Sequence, residues 1–370
     1  MKEKTEVEWR KILSNDAWSI NKLPTELRGA LYLSYSQLPQ NLKQCFLYCA
    51  LYPEQWMMHR DVLVRLWIAE SFIEKQENQP MEDTAEEYYY ELIARNILLP
   101  DPNYFDQVEC KMQDLLRQLA YHLSKEECFL GDPQSLEGET TSKLRRVSVV
   151  TDKGSVVLPI LGSQQFRVRT LINFCDKSLK VVDLTFKRLP YARVLDLSGL
   201  SVQKIPHYIG SLIHLRLLDL SGTSIICLPD SIGSLKNLQV LNLQGCDALH
   251  CLPLGITQLC NLRHFGLDRT PITKVPNGIG NLKFLNDIEG FLVGGGSDNG
   301  TMQDGWKLEE LDPLLQLRQL YMIKLERAAP CSTNSMLIDK KYLKLLHLRC
   351  TGRTDETYSE QDVSNIEKIF

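Results

Sequence analysis

Residues 193–285 consist of four consecutive segments that share one apolar pattern. They read RVLDLSGLSVQKIPHYIGSLIHL (193–215), RLLDLSGTSIICLPDSIGSLKNL (216–238), QVLNLQGCDALHCLPLGITQLCNL (239–262) and RHFGLDRTPITKVPNGIGNLKFL (263–285). Successive segments begin 23, 23 and 24 residues apart. Near the start of each segment two apolar residues stand two places apart, and further on an apolar residue is followed by proline: Pro206, Pro229, Pro253 and Pro276. Self-similarity at a fixed period predicts a repeat architecture.

The spacing within a segment indicates a leucine-rich repeat. Leu195 and Leu197 are two residues apart, which places both on one face of a short strand and turns the alternate positions to solvent. The proline fixes φ and has no N–H, so it favours an extended or tight non-helical return. One repeat cannot fold alone, because ordering each residue costs about 1–2 kcal/mol and each buried apolar side chain returns only about 1.5–3 kcal/mol. The repeats must therefore stack into a solenoid with a parallel concave sheet.

The repeat region extends beyond these four segments and covers residues 145–370 in our assignment. Residues 145–168 and 169–192 fit as earlier irregular repeats, and 317–326 and 343–350 as later ones, giving eight or nine in total. The Gly-rich stretch 294–300 lacks the Gly-Lys-Ser/Thr ending of a phosphate loop, so we interpret it as a flexible insertion. The chain stops soon after these repeats without an obvious polar capping repeat, which favours a truncated end.

The solvent-facing strand positions are the candidate partner-binding site. They form columns on the predicted concave sheet, which is the surface that solenoids use for binding. The acidic members Asp196, Asp219 and Asp268 favour a partly basic protein ligand; solvation of the sheet, or packing against the acidic first part of the chain, is the open alternative. The positions are Val194, Asp196, Ser198, Leu217, Asp219, Ser221, Val240, Asn242, Gln244, His264, Gly266 and Asp268.

Residues 21–135 predict a winged-helix-like domain. Apolar spacing indicates a helix that begins at Leu42 and ends before Pro53, and residues 62–69 are apolar almost all round, which indicates a central helix. Residues 97–112 suggest two short antiparallel strands, and Asp114 is placed to cap the helix that follows. The fold class is therefore α+β and multidomain: a helical winged-helix-like domain followed by a leucine-rich-repeat solenoid.

Composition and charge exclude several classes of function. Residues 1–144 carry 15 Lys and Arg against 24 Asp and Glu, a net charge of −9, while the rest of the chain is net +5. The first twenty residues have no apolar run, and no stretch is long enough to span a membrane. The eleven cysteines show no CxxC pair and the seven histidines are scattered, so we predict no metal ligands, no catalytic residues and no enzyme.

The string CFLYCALYPE at residues 45–54, together with KMQDL at 111–115 and the LPxxIGxLxxL repeats, resembles the nucleotide-binding leucine-rich-repeat disease resistance proteins of plants. The likeness runs from about residue 8 to about residue 350. It implies that the winged helix closes a nucleotide switch, and that residues 1–20 are the end of a preceding helical subdomain. It also implies a cytoplasmic protein, or one shared between cytoplasm and nucleus.

The resemblance assigns a nucleotide-sensing motif to Met112, Gln113 and Asp114. The family has Met-His-Asp here, and its His senses the β-phosphate of ADP. Gln113 can donate a hydrogen bond but carries no positive charge, so we expect the ADP-bound state to be held less firmly. The sequence has no phosphate-binding loop, so we expect no nucleotide to bind this chain alone; ADP and ATP would belong to an upstream nucleotide-binding domain of a longer parent.

The leading functional expectation is a fragment of an intracellular immune receptor. Its repeats would bind a pathogen-derived or guarded host protein, and the winged helix would couple that binding to the ADP/ATP switch and a defence response. The alternative is a winged-helix DNA-binding regulator with a leucine-rich-repeat interaction domain. DNA binding needs a basic surface, and the first part of the chain is acidic.

Overall fold

A computed structural model describes residues 24–350, apart from positions 25, 26, 28 and 78 and stretches within 133–142, 152–166, 176–188, 296–299 and 329–338. The predicted subdomain remnant at 1–20 lies outside the described residues. The chain divides into two compact units. The first comprises residues 1–131 and 139–150, and the second 132–138 and 151–370. Residues 145–150, which the sequence assigned to the repeats, group with the first unit.

The first unit contains five α-helices among its described residues. Its helix α3 packs most deeply, with Leu63, Trp67 and Ala69 fully buried, which confirms the central helix that the apolar run predicts. The helices are α1 (Ala30–Ser36), α2 (Gln40–Cys49), α3 (Arg60–Ala69), α4 (Met81–Ala94) and α5 (Asp114–Ser124).

A three-stranded antiparallel sheet completes the winged-helix arrangement. Strand β1 (Met58–His59) pairs with β3 (Glu109–Met112), which also pairs with β2 (Leu98–Pro100). The β2–β3 hairpin confirms the pair of strands that the sequence predicts at 97–112. Its inward side chains, Leu98 and Met112, face each other across the hairpin and are both buried.

Two parallel strands close the first unit, β4 (Cys128–Gly131) and β5 (Arg146–Val149). Arg146 ties this pair to the helices. Its guanidinium nitrogens lie 3.7 Å from a Glu70 carboxylate oxygen and 3.6 Å from one of Glu127. The guanidinium carbon also lies 5.5 Å from the centre of the Phe72 ring. A charged side chain that is only 12% exposed needs such partners, because desolvation penalises it otherwise.

The second unit is built on a parallel sheet of short strands. Leu195, Leu218, Leu241 and Phe265 occupy equivalent places in four neighbouring strands, in register, and all are completely buried. This stacking confirms the predicted leucine-rich repeats. In sheet order the strands are β7 (Thr170–Asn173), β9 (Val194–Asp196), β10 (Leu217–Asp219), β11 (Val240–Asn242), β12 (His264–Gly266), β14 (Asp287–Leu292), β16 (Gln319–Ile323) and β17 (Leu345–Arg349). Strands β6 (Ser155–Val156) and β8 (Lys180–Val181) form a separate parallel pair.

The return segments are helical in part, so the prediction of non-helical returns is wrong. Short 3-10 helices follow the first three repeat prolines, at His207–Ser211, Asp230–Ser234 and Leu254–Gln258. Each proline takes the residue position just before its helix with φ between −71° and −75°. Proline is tolerated there because the N–H that it lacks would have no partner within the helix.

The insertion around the Gly-rich stretch is anchored at both ends. Strand β13 (Val275–Pro276) pairs with β15 (Met302–Gln303), and the Trp306 indole N–H donates to the Pro276 carbonyl at 3.0 Å. Trp306 is completely buried against Phe291. Residues 296–299 of the predicted flexible insertion lie outside the described residues.

The described part of the chain lacks both a membrane-spanning helix and a metal-binding cluster. No helix there is long and apolar enough to cross a membrane. No group of three or more His, Cys, Asp or Glu side chains there is placed to hold a metal ion. Cys45 and Cys49 of the family-like string are completely buried, and burial raises the pKa of both thiols.

Candidate functional site

The concave face of the parallel sheet is the candidate site. Each strand contributes one outward residue at its start and one at its end. Asp196, Asp219, Asn242 and Gly266 occupy the same place in adjacent strands and form one column, which Glu289 continues on β14. A second column lies just beyond the strand ends, with Ser198, Ser221, Gln244 and Asp268.

The first outward position of each strand is buried, so the prediction that these residues face solvent is wrong. Val194 is 0% exposed, Leu217 and Val240 are each 5% exposed, and His264 is 1% exposed. Adjacent strands lie only about 4.8 Å apart. Side chains of one column therefore cover each other, and its apolar members Val194, Leu217 and Val240 are shielded from solvent.

The end-of-strand column is polar and internally bonded. The Asp196 carboxylate accepts a hydrogen bond from the Ser198 backbone N–H at 2.9 Å, and Asp219 accepts one from Ser221 at 2.8 Å. The other Asp219 oxygen accepts from the Asn242 amide at 3.0 Å. These bonds hold the side chains of the column in one orientation, which lowers the entropy cost of binding a partner.

The pair Asp196 and Asp219 carries less charge than its composition indicates. The two residues are direct neighbours in the register of β9 and β10. Burial, and next the charge of Asp219, raise the pKa of Asp196 to about 7. The Asp196 carboxyl is therefore only partly ionised near neutral pH, since burial and a neighbouring like charge both disfavour its charged form.

Gly266 opens room for a polar cluster in the middle of the face. A Cβ atom there would lie 2.6 Å from the Asn242 side-chain oxygen and 3.2 Å from the Nε2 atom of His264. In its absence the Gln244 amide reaches across to donate to the Glu289 carboxylate. A Glu289 oxygen also lies 3.7 Å from the Nδ1 atom of His264. A side chain at position 266 would block this arrangement.

Sequence reasoning missed the part of the face that follows residue 285. On β14, Asp287 continues the column of strand starts and Glu289 the polar column of strand ends. Tyr321 and His347 extend that polar column, with ring centres 5.1 Å apart. The signal was present, because the apolar spacing at 285–288 is that of the earlier repeats. A bulge at Gly290, with φ of 108°, then shifts the register and conceals the period.

The predicted nucleotide-sensing residues lie at the junction of β3 and α5. Met112 is buried in the hairpin, whereas Gln113 and Asp114 are exposed. Asp114 is the first residue of α5 and not its cap, so that prediction is wrong; Gln113 precedes the helix and its side chain makes no capping bond. Asp114 instead accepts from the Gln55 amide at 2.7 Å. Gln55 also accepts from the Lys111 ammonium at 3.1 Å.

Each of the two structural units contains a segment that matches a known protein family. Residues 51–120 match the model of the disease resistance protein winged helix domain, and residues 167–364 match the model of the leucine-rich repeat region. The second match covers more than half of the chain. The two matched segments fall within the first and the second structural unit, respectively.

Curated relatives agree with these models. The chain is 30% identical over 375 residues to the disease resistance protein RGA4 of Solanum bulbocastanum, covering 99% of this chain and 34% of that protein. It is 28% identical to RPP8-like protein 2 of Arabidopsis thaliana, covering 93% of this chain and 39% of that one. The chain thus spans little more than a third of the length of these relatives.

Two solved structures also match. One is a leucine-rich-repeat protein of Leptospira interrogans, with a TM-score of 0.41 and 20% identity, covering 69% of this chain and 67% of that one. The other is the plant peptide hormone receptor RGFR1 in complex with RGF2, with a TM-score of 0.42 and 24% identity, covering 56% of this chain and 32% of that one. From the family models and the curated relatives, we conclude that the chain belongs to the leucine-rich-repeat proteins of the plant disease resistance family and carries that family's winged helix domain.

Proposed function

We propose that this chain is the recognition and regulatory part of a plant disease resistance receptor, which acts by binding and not by catalysis. Its concave face binds a protein ligand, either pathogen-derived or a guarded host protein. Its winged helix couples that binding to an ADP/ATP switch in a nucleotide-binding domain of the longer parent. The observation that carries the proposal is the ordered polar column of Asp196, Asp219 and Asn242 on the concave sheet.

The chemistry of this face selects a ligand with positive charge. Asp219 and Glu289 contribute carboxylates, and Asp196 contributes a further negative charge as the pH rises. Lys and Arg side chains of a ligand would pair with them, and such pairing provides specificity and a fast association rate. The buried apolar column beside them supplies a rigid support.

The position of Gln113 in the winged helix supports a role in sensing a bound nucleotide, and not in holding it. Gln113 is exposed in front of α5, where the free N–H groups of a helix terminus favour an anion. Lys111 is the nearest cation along the strand, and it donates to Gln55. ADP supplies the phosphate charge when bound by the parent's upstream domain. Gln113 would then donate a hydrogen bond to it from the winged-helix side.

The DNA-binding alternative has weak support in the geometry. The helix that precedes the hairpin, α4, is the one that a winged-helix DNA reader would insert into the major groove. It contains five Asp and Glu residues and no Lys or Arg. Phosphate contacts require Lys and Arg, so this helix would be repelled by DNA.

A displayed library of random peptides tests the recognition role without knowledge of the natural ligand. We expect binders of the purified chain to be rich in Lys and Arg. The double variant Asp196→Asn, Asp219→Asn should lose them, while Asp230→Asn, an exposed carboxylate on a 3-10 helix outside the sheet, should retain them. Equal binding by both variants would contradict the assignment of the concave face.

The switch role needs a separate measurement. The chain can replace the matching third of RGA4, after which ADP release is followed in the purified chimera. We expect Gln113→His to slow ADP release, because a protonated His adds a positive charge at the helix terminus. Leu115→Ala, an exposed change next to the motif, serves as the control. Identical release from the unmodified chimera and its Gln113→His variant would refute nucleotide sensing by this residue while leaving the recognition role untouched.

A further inference from the structure

Two cysteines occupy the same position in consecutive repeats, outside the concave face. Cys227 directly precedes Leu228 and Pro229, and Cys251 directly precedes Leu252 and Pro253. Both thiols are free and exposed. The leucine that follows each of them is buried, so the two cysteines are the outward members of the same strand-like segment in their repeats.

The bridges and contacts of the repeats place these two positions in adjacent layers of the stack. Cys227 forms a parallel bridge with Lys204 of the repeat before, and Cys251 forms one with Lys274 of the repeat after. Upstream of the cysteines the two repeats are in close contact, since a Cβ on Gly245 would lie 3.8 Å from the Gly222 Cα atom. Downstream, a Cβ on Gly255 would clash with the Asp230 carbonyl oxygen, so the 3-10 helices pack tightly as well.

The usual spacing of adjacent layers suits a disulfide bond. Neighbouring parallel strands lie about 4.7–4.9 Å apart, and the Cα atoms of disulfide-bonded cysteines lie about 4.4–6.8 Å apart. The one extra residue of the third repeat falls between Gly245 and Cys251, because the glycine contact has an offset of 23 residues and the prolines an offset of 24. The extra residue is therefore absorbed before the cysteine, and the two thiols remain in phase.

The positive charge around the two cysteines favours an anionic oxidant. Exposed lysines stand at the same position in the repeats on either side, Lys204 and Lys274, so a column of Lys, Cys, Cys and Lys crosses this surface. Glutathione disulfide carries more carboxylates than ammonium groups and is an anion at neutral pH. Two flanking ammonium groups attract it by ordinary Coulomb steering, which falls with ionic strength.

We propose that Cys227 and Cys251 form a dithiol modification site that low-molecular-weight disulfides of the glutathione class oxidise to an inter-repeat disulfide. One cysteine thiolate attacks a sulfur of glutathione disulfide, the S–S bond breaks, and one glutathione thiolate leaves. The second cysteine thiolate then attacks the protein sulfur of the mixed disulfide and displaces the second glutathione thiolate. Two electrons pass to glutathione disulfide, and the two thiol protons end on the two glutathione molecules.

Another exposed cysteine of the repeats provides an internal control. Cys260 is exposed and is also flanked by lysines in the neighbouring repeats, Lys236 and Lys283, at its own equivalent position. It has no cysteine at that position in either adjacent repeat. It can therefore form a mixed disulfide with glutathione and cannot close a ring across one repeat.

The test is to equilibrate the purified full chain with defined ratios of oxidised and reduced glutathione, block the remaining thiols, digest with trypsin and analyse the peptides by mass spectrometry. Cleavage separates residues 217–236, which contain Cys227, from 237–263, which contain the buried Cys246 as well as Cys251 and Cys260. We expect the two peptides joined, with the loss of two hydrogens and no glutathione mass. Cys251→Ser should abolish the joined species and Cys260→Ser should retain it.

A charge variant tests the second part of the proposal. Lys204→Glu combined with Lys274→Glu should slow formation of the joined species severalfold at low salt and have little effect at high salt. The joined species persisting in Cys251→Ser would overturn the proposal. So would a wild-type chain in which Cys227 and Cys251 carry glutathione and never close.

Discussion

At neutral pH Asp196 carries less negative charge than an ordinary aspartate would. The unfolded chain ionises this carboxyl near its ordinary pKa of about 3.9, whereas burial and the Asp219 charge raise the folded pKa to about 7. The folded state therefore prefers the protonated form. Its contribution to stability is fully present below the unfolded pKa and is lost as the pH rises through the folded one.

Asp196→Asn should remove that pH dependence. The variant keeps an oxygen that can accept from Ser198, as Asn242 does from Gln244 in the same column. We expect its free energy of unfolding to exceed that of the wild type at pH 8 by about 1 kcal/mol or more, roughly the worth of one pKa unit, with the gain shrinking towards pH 5. Urea titrations at several pH values measure this. A gain that is constant with pH would contradict the shifted carboxyl.

Gly266 shows how a missing side chain shapes the concave face. Gly266→Ala would push a methyl group to within 2.6 Å of the Asn242 side-chain oxygen, so the Asn242 side chain has to move, which disturbs its bonds with the Gln244 backbone N–H and with Asp219. Overpacking of this kind typically costs about 1–3 kcal/mol. The same change made in an Asn242→Ala background should cost much less. An equal cost in both backgrounds, measured by urea unfolding, would show that the clash lies elsewhere.

Among the elements, the β13–β15 insertion depends on one side chain. Trp306→Phe keeps the ring packing against Phe291 but leaves the buried Pro276 carbonyl without its donor. We expect a loss of about 1–3 kcal/mol in the free energy of unfolding. Trp306→Ala should cost about 3–5 kcal/mol, since it also opens a cavity. Equal effects of the two variants in thermal or urea unfolding would assign the whole contribution to the hydrogen bond.

The elements also show where sequence reasoning succeeds. Period and apolar spacing were sufficient to predict the strands through Leu195, Leu218 and Leu241, because a fixed repeat admits one way of burying them. The same rules failed for the exposure of Val194, which depends on lateral crowding between strands and not on the pattern along one strand. They also failed for Asp114, because helix caps shift by one residue with no change in apolar period.

For the molecule as a whole, the candidate site was predictable only in part. The repeat pattern predicted that Asp196, Asp219 and Asn242 would align, and the register places them together. It could not predict the reach of Gln244 across Gly266 to Glu289, which joins residues 45 positions apart. Contacts of that kind depend on the three-dimensional spacing of side chains on three strands, which no one-dimensional period contains.

The repeat architecture also predicts how far the effect of a destabilising substitution extends along the stack. In a solenoid each repeat contacts only its neighbours, so a local loss should decay with distance along the stack. Leu241→Ala removes a completely buried side chain of β11, at an expected cost of about 2–5 kcal/mol. Native-state hydrogen exchange should accelerate most in β10 and β12, which pair directly with β11, and least in β17. Ser234→Ala, an exposed change in the same repeat region, should leave all rates unchanged. Uniform acceleration of every strand would instead show that the stack unfolds as one cooperative block.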